Sequence, residues 1–343
     1  MRSAHLLSSV SASAITAHLG GGGGPVDPGT DLSTSFADIS TNLLPVAGWG
    51  AIRRNPDYTG PCCRVADNDS AAEVDLYFDE YGFLSSAPPY TNTWVVTIYD
   101  QWGSDHLYCA KTANITLTNM VGADNCQGFN SIKIAYMRST LTTSTGAAWA
   151  VPDGLWAISF VRRENNGLQG LWGVDKSSNY MSMGLWQEYE DLHWRINGSS
   201  PVDWNNTDWN INSADVQNVK GTAIGDYTQG GSPGYAYFNG ASSGSLAYSA
   251  PITYDSGVFL KLFGASTLGS LFYGDIYELH IFSRVAAASG TDITNIHNAL
   301  SENDAALGIP KSNRVFAFKR TTVIRNPKNR ITAFKRTTVI RNP

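Results

Sequence analysis

From about Thr30 to Pro310 the chain repeats one pattern, in which short runs of apolar and β-branched residues are broken by Gly, Asn, Asp and Ser. Runs of this kind are strands bounded by turns. Trp94 to Tyr99 (WVVTIY) reads as a buried strand that stops at the Asp100-Gln101-Trp102-Gly103 turn, and Ile132 to Met137 alternates. Leu155 to Arg163 and Gln169 to Val174 flank Glu164-Asn165-Asn166-Gly167, and Asn-Gly between two apolar runs predicts that they pair as a hairpin. Tyr180 to Trp186, Leu192 to Ile196, Gly234 to Phe238, Val258 to Phe263 and Leu271 to Phe282 complete the strands. One helix is expected, Thr291 to Ala306. Thr291 or Asp292 caps it, Ile293, Ile296, Ala299 and Leu300 fall at helical spacing, and Gly308 to Pro310 ends it. Many strands with Gly/Asn turns predict an all-β fold, a two-sheet sandwich or jelly roll with one short C-terminal helix and extended arms.

The two ends break the pattern. Residues 1–29 include Gly20 to Gly24 followed by Pro25 and Pro28, which read as a flexible or docking arm. At the other end AFKRTTVIRNP occurs twice, as Ala317 to Pro327 and Ala333 to Pro343, with a period of sixteen. Both copies alternate and close on Asn-Pro, so 311–343 is expected to form strands. That tail holds ten Lys and Arg and no Asp or Glu, which leaves 14 basic against 29 acidic residues, a balance of −15, in the rest. A tail this short has no core of its own and needs a partner. Phe318, Arg320, Ile324, Arg325, Phe334, Arg336, Ile340 and Arg341 are the candidate assembly residues.

Composition narrows the classes. Charged residues make up only 15% and aromatics 11%, too few charges and too many rings for a disordered chain. Ten Trp and sixteen Tyr exceed what one core needs, which leaves some for a binding surface. No stretch approaches the roughly eighteen apolar residues of a membrane span. Ala12-Ser13-Ala14 imitates a signal cleavage site, but serines interrupt the apolar stretch before it. Cys62, Cys63, Cys109 and Cys126 match no zinc spacing; free thiols are the default, with Cys109–Cys126 open as a pairing. Phe318 and Phe334 among basic residues imitate a nucleic-acid stacking groove, yet regular alternation favours strand pairing.

Two stretches resemble known families. Residues 234–310 resemble the closing half of a laminin-G or concanavalin-like jelly roll. A strand ends there in Asn239-Gly240, and then come Gly274, Ile276, Glu278 and Ile281 on one strand, Arg284, and a helix. Alternation places Ile276, Glu278 and His280 on one side of that strand, with Glu278 facing a turn, and Tyr277, Leu279 and Ile281 on the other. Leu43 to Leu107, through Arg53-Arg54, Tyr58-Thr59-Gly60-Pro61, Arg64-Val65, Asp67 to Asp69, Glu73, Asp75 and Thr97 to Gly103, is similar to the opening of the arabinofuranosidase B catalytic module. Similar segments recur in phage virion proteins, and the module itself is a concanavalin-like sandwich. Both resemblances imply one sandwich domain over 30–310.

The chemistry does not follow with the fold. A retaining glycosidase needs two carboxyl groups about 5 Å apart, and the family's nucleophile segment has no counterpart here. No catalytic residue is therefore assigned; the local substitute is Glu188 with Glu190, which share a face if 185–194 forms one strand, against a plain polar edge. Asp67, Asp69 and Asp75 could hold a calcium ion, against a solvated turn; no cofactor and no metal site are otherwise expected. The richest recognition cluster is Trp194, Arg195, Asn197, Trp204, Asn205, Asp208 and Trp209, where flat rings and amides suit sugars. Packing of the same tryptophans inside the sandwich is an equal alternative. Together these observations point to a structural or decoration protein of a virus particle, a bacteriophage head or tail. Such a protein would be homo-oligomeric, held to other subunits by its arm and tail and presenting a lectin-like face to cell-surface glycans. An arabinofuranosidase-like hydrolase, and a secreted or cell-surface carbohydrate-binding module, are the alternatives.

Overall fold

The computed structural model describes residues 34–79, 82–84, 93–110, 115–117, 128–132, 135–162, 168–175, 181–188, 191–196, 207–210, 220–227, 234–246, 252, 254–265, 270–307, 316–325 and 331–340. The expected arm (1–29), the glycine run and the turn between the tail copies lie outside them.

Among the described residues the fold is all-β, with two antiparallel sheets that form a sandwich, one α-helix and a separate two-stranded ladder in the tail. In spatial order the smaller sheet runs Ala241–Leu246, Gly234–Phe238, Lys220–Tyr227, Gly154–Arg162, Tyr273–Arg284, Phe129–Ile132, Thr116–Leu117, with Leu43–Gly50 also on Tyr273–Arg284. The larger runs Thr207–Asn210, Asp191–Ile196, Met181–Glu188, Leu168–Asp175, Leu260–Leu262, Met137–Ser139, Leu107–Tyr108, Thr93–Ile98, Cys63–Asp67, Glu73–Leu76. The short strands Gly264–Ala265 and Ser270–Leu271 join it beside Leu168–Asp175. Between the sheets lie Trp49, Trp149, Trp156, Trp172 and Trp194 with aliphatic residues of both. Each such side chain removed from water contributes about 1.5–3 kcal/mol.

The expected hairpin across Asn166-Gly167 does not form. Gly154–Arg162 is buried in the middle of the smaller sheet, while Leu168–Asp175 belongs to the larger. Both strands are apolar enough to need a neighbour on each side, and the chain crosses between sheets to supply them. The signal holds at Asn239-Gly240, where φ values of 49° and 78° turn Gly234–Phe238 onto Ala241–Leu246. The expected Ile132 to Met137 strand likewise divides, its ends falling in different sheets.

A second core covers the outer face of the smaller sheet. There Phe36, Ile39 and Leu43 pack with Ile293, Ile296, Ala299 and Leu300 of the helix, Gly290–Leu307, against Leu155, Ile224 and Phe282. The cap is Ser289 rather than Thr291 or Asp292. The Ser289 Oγ accepts the Asp292 N–H at 3.2 Å while Asp292 Oδ2 accepts the Ser289 N–H at 2.7 Å, a reciprocal capping box.

A bulge between Ile276 and Glu278 resets the alternation of Tyr273–Arg284. Ile276 thereby joins Leu279 and Ile281 in the inter-sheet core, and Glu278 and His280 point to the helix side. Glu278 is not at a turn, as the pattern implied, but 0% exposed. It accepts two hydrogen bonds from Arg54, from Nε at 2.8 Å and Nη2 at 2.7 Å. Arg54 also donates to the Thr34 and Ala299 carbonyls and lies over the Phe36 ring, while His280 Nε2 stands 3.0 Å from Glu278 Oε2. One guanidinium thus ties the N-terminal segment, the helix and the central strand together.

Burial would raise the Glu278 pKa, but the Arg54 charge and hydrogen bonds overcome it and hold the carboxyl at about 2, against an ordinary 4.5. A depressed folded pKa gives stability that is complete above the unfolded value and lost as pH falls through the folded one. Stability should therefore drop between pH 4.5 and 2, and Glu278→Gln should flatten that limb. At neutral pH Arg54→Ala should cost about 3–5 kcal/mol, because it strands a buried carboxylate. Urea unfolding of the three proteins across pH measures both; a loss under about 1 kcal/mol for Arg54→Ala would show the pair to be dispensable.

Candidate ligand-binding face

The larger sheet has one face in the core. Ile98, Leu107, Met137, Leu260, Leu262, Trp172, Val174, Met183 and Leu185 all point inward. Their alternate neighbours therefore belong to the other face. Strand register lines these neighbours up in one row across the sheet, in the order Asp75, Arg64, Thr97, Tyr108, Arg138, Lys261, Gly173, Gly184, Arg195. The row is cationic and aromatic in a body whose overall charge is negative.

At one end Arg64 makes a two-pronged pair with Asp75, Nε to Oδ1 at 2.7 Å and Nη2 to Oδ2 at 3.0 Å. Tyr99 Oη donates to the same carboxylate at 2.8 Å, and its ring meets His106 edge-on at 4.8 Å. The hydrogen bonds from Arg64 hold Asp75 below the usual carboxylate range. Burial lowers the His106 pKa and raises that of Tyr99, so both stay neutral around pH 7. Further along, the Arg138 guanidinium lies between two rings, 4.8 Å from Tyr108 and 5.1 Å from Phe259. Lys261 Nζ sits 4.7 Å over Tyr136. This end can present hydrogen-bond donors, positive charge and ring surface to a ligand. The signal for it in the sequence was a charged residue between core residues, Leu260-Lys261-Leu262 and Met137-Arg138-Ser139, which the choice of Trp194 to Trp209 passed over.

The predicted recognition cluster divides. Trp194 is 2% exposed and belongs to the core, edge-on to Trp172 at 5.5 Å and seated on Gly225, where a Cβ would come within 2.0 Å of its ring. It cannot be a sugar platform; of the two readings weighed for it, packing is the one realised. Arg195 occupies the row beside Gly184, Asp208 stands opposite His193, and Trp209 opposite Leu192. Asn197, Trp204 and Asn205 lie outside the described residues, as does Glu190. Residues 185–194 are not one strand, because the chain reverses between Met181–Glu188 and Asp191–Ile196. Glu188 consequently stands in register with Asp191 instead of sharing a strand face with Glu190.

The residues that carry the arabinofuranosidase resemblance build scaffold. Asp100 Oδ1 accepts the Gly48 and Trp102 N–H groups at 2.9 and 3.0 Å. Gln101 accepts the Arg54 N–H and donates to the Ile52 carbonyl, both at 2.6 Å, and Tyr58 Oη donates to the Pro61 carbonyl. Asp67 closes a turn by accepting the Asp69 and Ser70 N–H groups, while the Asp75 carboxylate is taken up by Arg64 and Tyr99. Among the described residues no group of His, Cys, Asp or Glu is arranged to hold a metal. Cys63 and Cys109 are free thiols, the Cys62 thiol donates to the Gly50 carbonyl, and burial pushes Cys109 up to about 12, while Cys126 lies outside the described residues. Among the described residues no helix is long and apolar enough to cross a membrane.

No family model and no curated protein matches the chain. Solved structures do. An arabinofuranosidase complexed with arabinofuranosyl-alpha-1,2-xylobiose superposes with a TM-score of 0.57 at 15% identity, over 92% of this chain and 73% of that one. A mutant GH54 α-L-arabinofuranosidase soaked with a nitrophenyl arabinofuranoside gives 0.53 at 16% identity, over 87% and 71%. Trypanosoma rangeli sialidase, at 0.42 and 11% over 64% of this chain and 32% of its own, is too distant to carry an argument. The two arabinofuranosidase likenesses show a shared β-sandwich fold.

Burial pushes Asp100 up to about 6 from an ordinary 3.8, against the pull of the backbone N–H groups it accepts. A carboxyl whose folded pKa is raised binds its proton more tightly when folded. Its contribution therefore favours the folded state at low pH and is lost as pH rises from 3.8 to 6, the reverse of Glu278. Asp100→Asn, whose side-chain oxygen can accept the same two N–H groups, should remove that limb from the stability profile. An unchanged slope between pH 4 and 6 would place the titration elsewhere.

Proposed function

We propose that this protein is a non-enzymatic, glycan-binding sandwich carried on a virus particle, most simply a bacteriophage head or tail, and that it binds sugars on the outer face of its larger sheet. The observation that carries the reading is the row containing Arg64, Tyr108, Arg138 and Lys261, in which Arg138 lies against the Tyr108 and Phe259 rings and Lys261 over Tyr136. The arabinofuranosidase likeness supports a carbohydrate ligand, because the protein of the related structure is complexed with an arabinofuranosyl-xylobiose.

The tail supplies attachment. Phe316–Arg325 pairs antiparallel with Ile331–Ile340 as a separate two-stranded sheet. Because the repeat period is even, equivalent residues of the two copies fall at positions of the same parity. Phe318, Arg320, Ile324, Phe334, Arg336 and Ile340 thus share one set of alternate positions, Arg325 falls in the other, and Arg341 lies outside the described residues. Arg320 is directly opposite Arg336, a like-charge pair that destabilises an isolated ladder. Two strands alone are marginal in water. An acidic surface on a neighbouring subunit answers both needs, and makes the chain one of several copies in the particle. Deleting 311–343 should leave the melting transition of the sandwich in place and abolish incorporation into particles, and raised salt should weaken docking of the intact chain. Normal incorporation of the truncated protein would remove the anchoring role.

Hydrolysis is the second reading, and it has one observation behind it, Glu188 in register with Asp191. An aryl arabinoside should not turn over with the full-length protein. Turnover abolished by Glu188→Gln would replace the binding reading with an enzymatic one. A secreted or cell-surface module remains the alternative location, decided by whether the protein co-purifies with particles.

A further inference from the structure

We infer that Arg138 is the anion-recognising point of this face and that it takes the carboxylate of an acidic saccharide. The inference rests on the glycan-binding reading and narrows it to a ligand class.

Arg54, Arg64 and Arg284 each have a carboxylate partner, Glu278, Asp75 and Asp226 respectively. Arg138 has none among the described residues. It is exposed, and the contacts it makes are with the rings of Tyr108 and Phe259. Directly across the strand pair stands Lys261, a second cation. A bound anion at Arg138 would therefore meet positive charge from both strands.

The chemistry of the anion follows from the side chain. A guanidinium offers a planar fork that matches a carboxylate through two parallel hydrogen bonds. Here the rings on either side fix the fork in advance, so little side-chain freedom is lost on binding. A sugar is the fitting carrier. The Tyr136 ring, 38% exposed, and the partly exposed Tyr108 can take the apolar face of a pyranose while its carboxylate reaches Arg138. Lys261, nearly buried on Tyr136, adds positive potential without competing for the same fork.

The test is calorimetric titration of the full-length protein with oligogalacturonate, with its methyl ester and with a sulfated oligosaccharide. Wild type should bind the free acid on the order of tenfold more tightly than the ester. Arg138→Gln should bring the acid to the affinity of the ester with an unchanged melting temperature, and Arg138→Lys should recover only part of the preference. Equal affinity for acid and ester, or a preference that survives Arg138→Gln, overturns the inference and leaves glycan binding standing. Tighter binding of the sulfated sugar overturns the assignment to carboxylate. Failure of wild type to bind any of the three overturns both this inference and the glycan reading beneath it.

Discussion

A guanidinium and a carboxylate that both lose all contact with water constrain everything around them. Arg54 and Glu278 meet at 0% exposure, where unmatched charge is far more costly than at the surface. The rest of the region is arranged to match it. The bulge in Tyr273–Arg284 aims Glu278 away from the inter-sheet core, His280 stands against its second oxygen, and the Thr34 and Ala299 carbonyls take two further guanidinium donors. The helix and the segment before Leu43 are consequently held by directional bonds as well as by the apolar contacts of Phe36, Ile296 and Leu300. Greasy contact alone would let them slide; the fork does not.

This leaves the two sheets with different tasks. Both faces of the smaller sheet are committed, one to the sandwich and one to the helix. Among the described residues the larger sheet keeps a face without a second packed layer over its Cys63–Asp67 to Leu260–Leu262 half, where Arg64, Thr97, Tyr108 and Arg138 retain contact with solvent. The rows of an antiparallel sheet bring residues far apart in sequence to within side-chain reach. That is how Arg64, Tyr108, Arg138 and Lys261 become neighbours although some two hundred residues separate the first from the last.

Fold class was readable because alternation and turn residues report local geometry, and local geometry repeated many times leaves few architectures. Sheet membership was not. Asn166-Gly167 and Asn239-Gly240 are the same signal, and one marks a hairpin while the other lies between strands of different sheets. The difference lies in how many neighbours each flanking strand must find, which a window of ten residues does not contain. The bulge after Ile276 inverted the expected side of that residue relative to Glu278, since a single extra residue changes the parity of everything before it. Trp194 failed as a sugar platform for a similar reason: its fate depends on Gly225, a residue on the opposite sheet whose missing side chain makes the room. The cationic row was spelled out strand by strand, but only register turns those separate letters into a surface.

The doubled tail has a symmetry of its own. In the ladder Ala317 faces Val339, Val323 faces Ala333, and Arg320 faces Arg336. Exchanging the two copies reproduces the same list, so a local two-fold axis passes between the arginines. A strand in such a ladder cannot distinguish the copy sixteen residues away from the identical copy on another molecule. Whether the pairing closes within one chain or links several is then set by tether length and local concentration, not by recognition. Dilute chains would fold the repeat back on themselves; crowded on a scaffold, the same hydrogen bonds could stitch neighbours into a continuous belt.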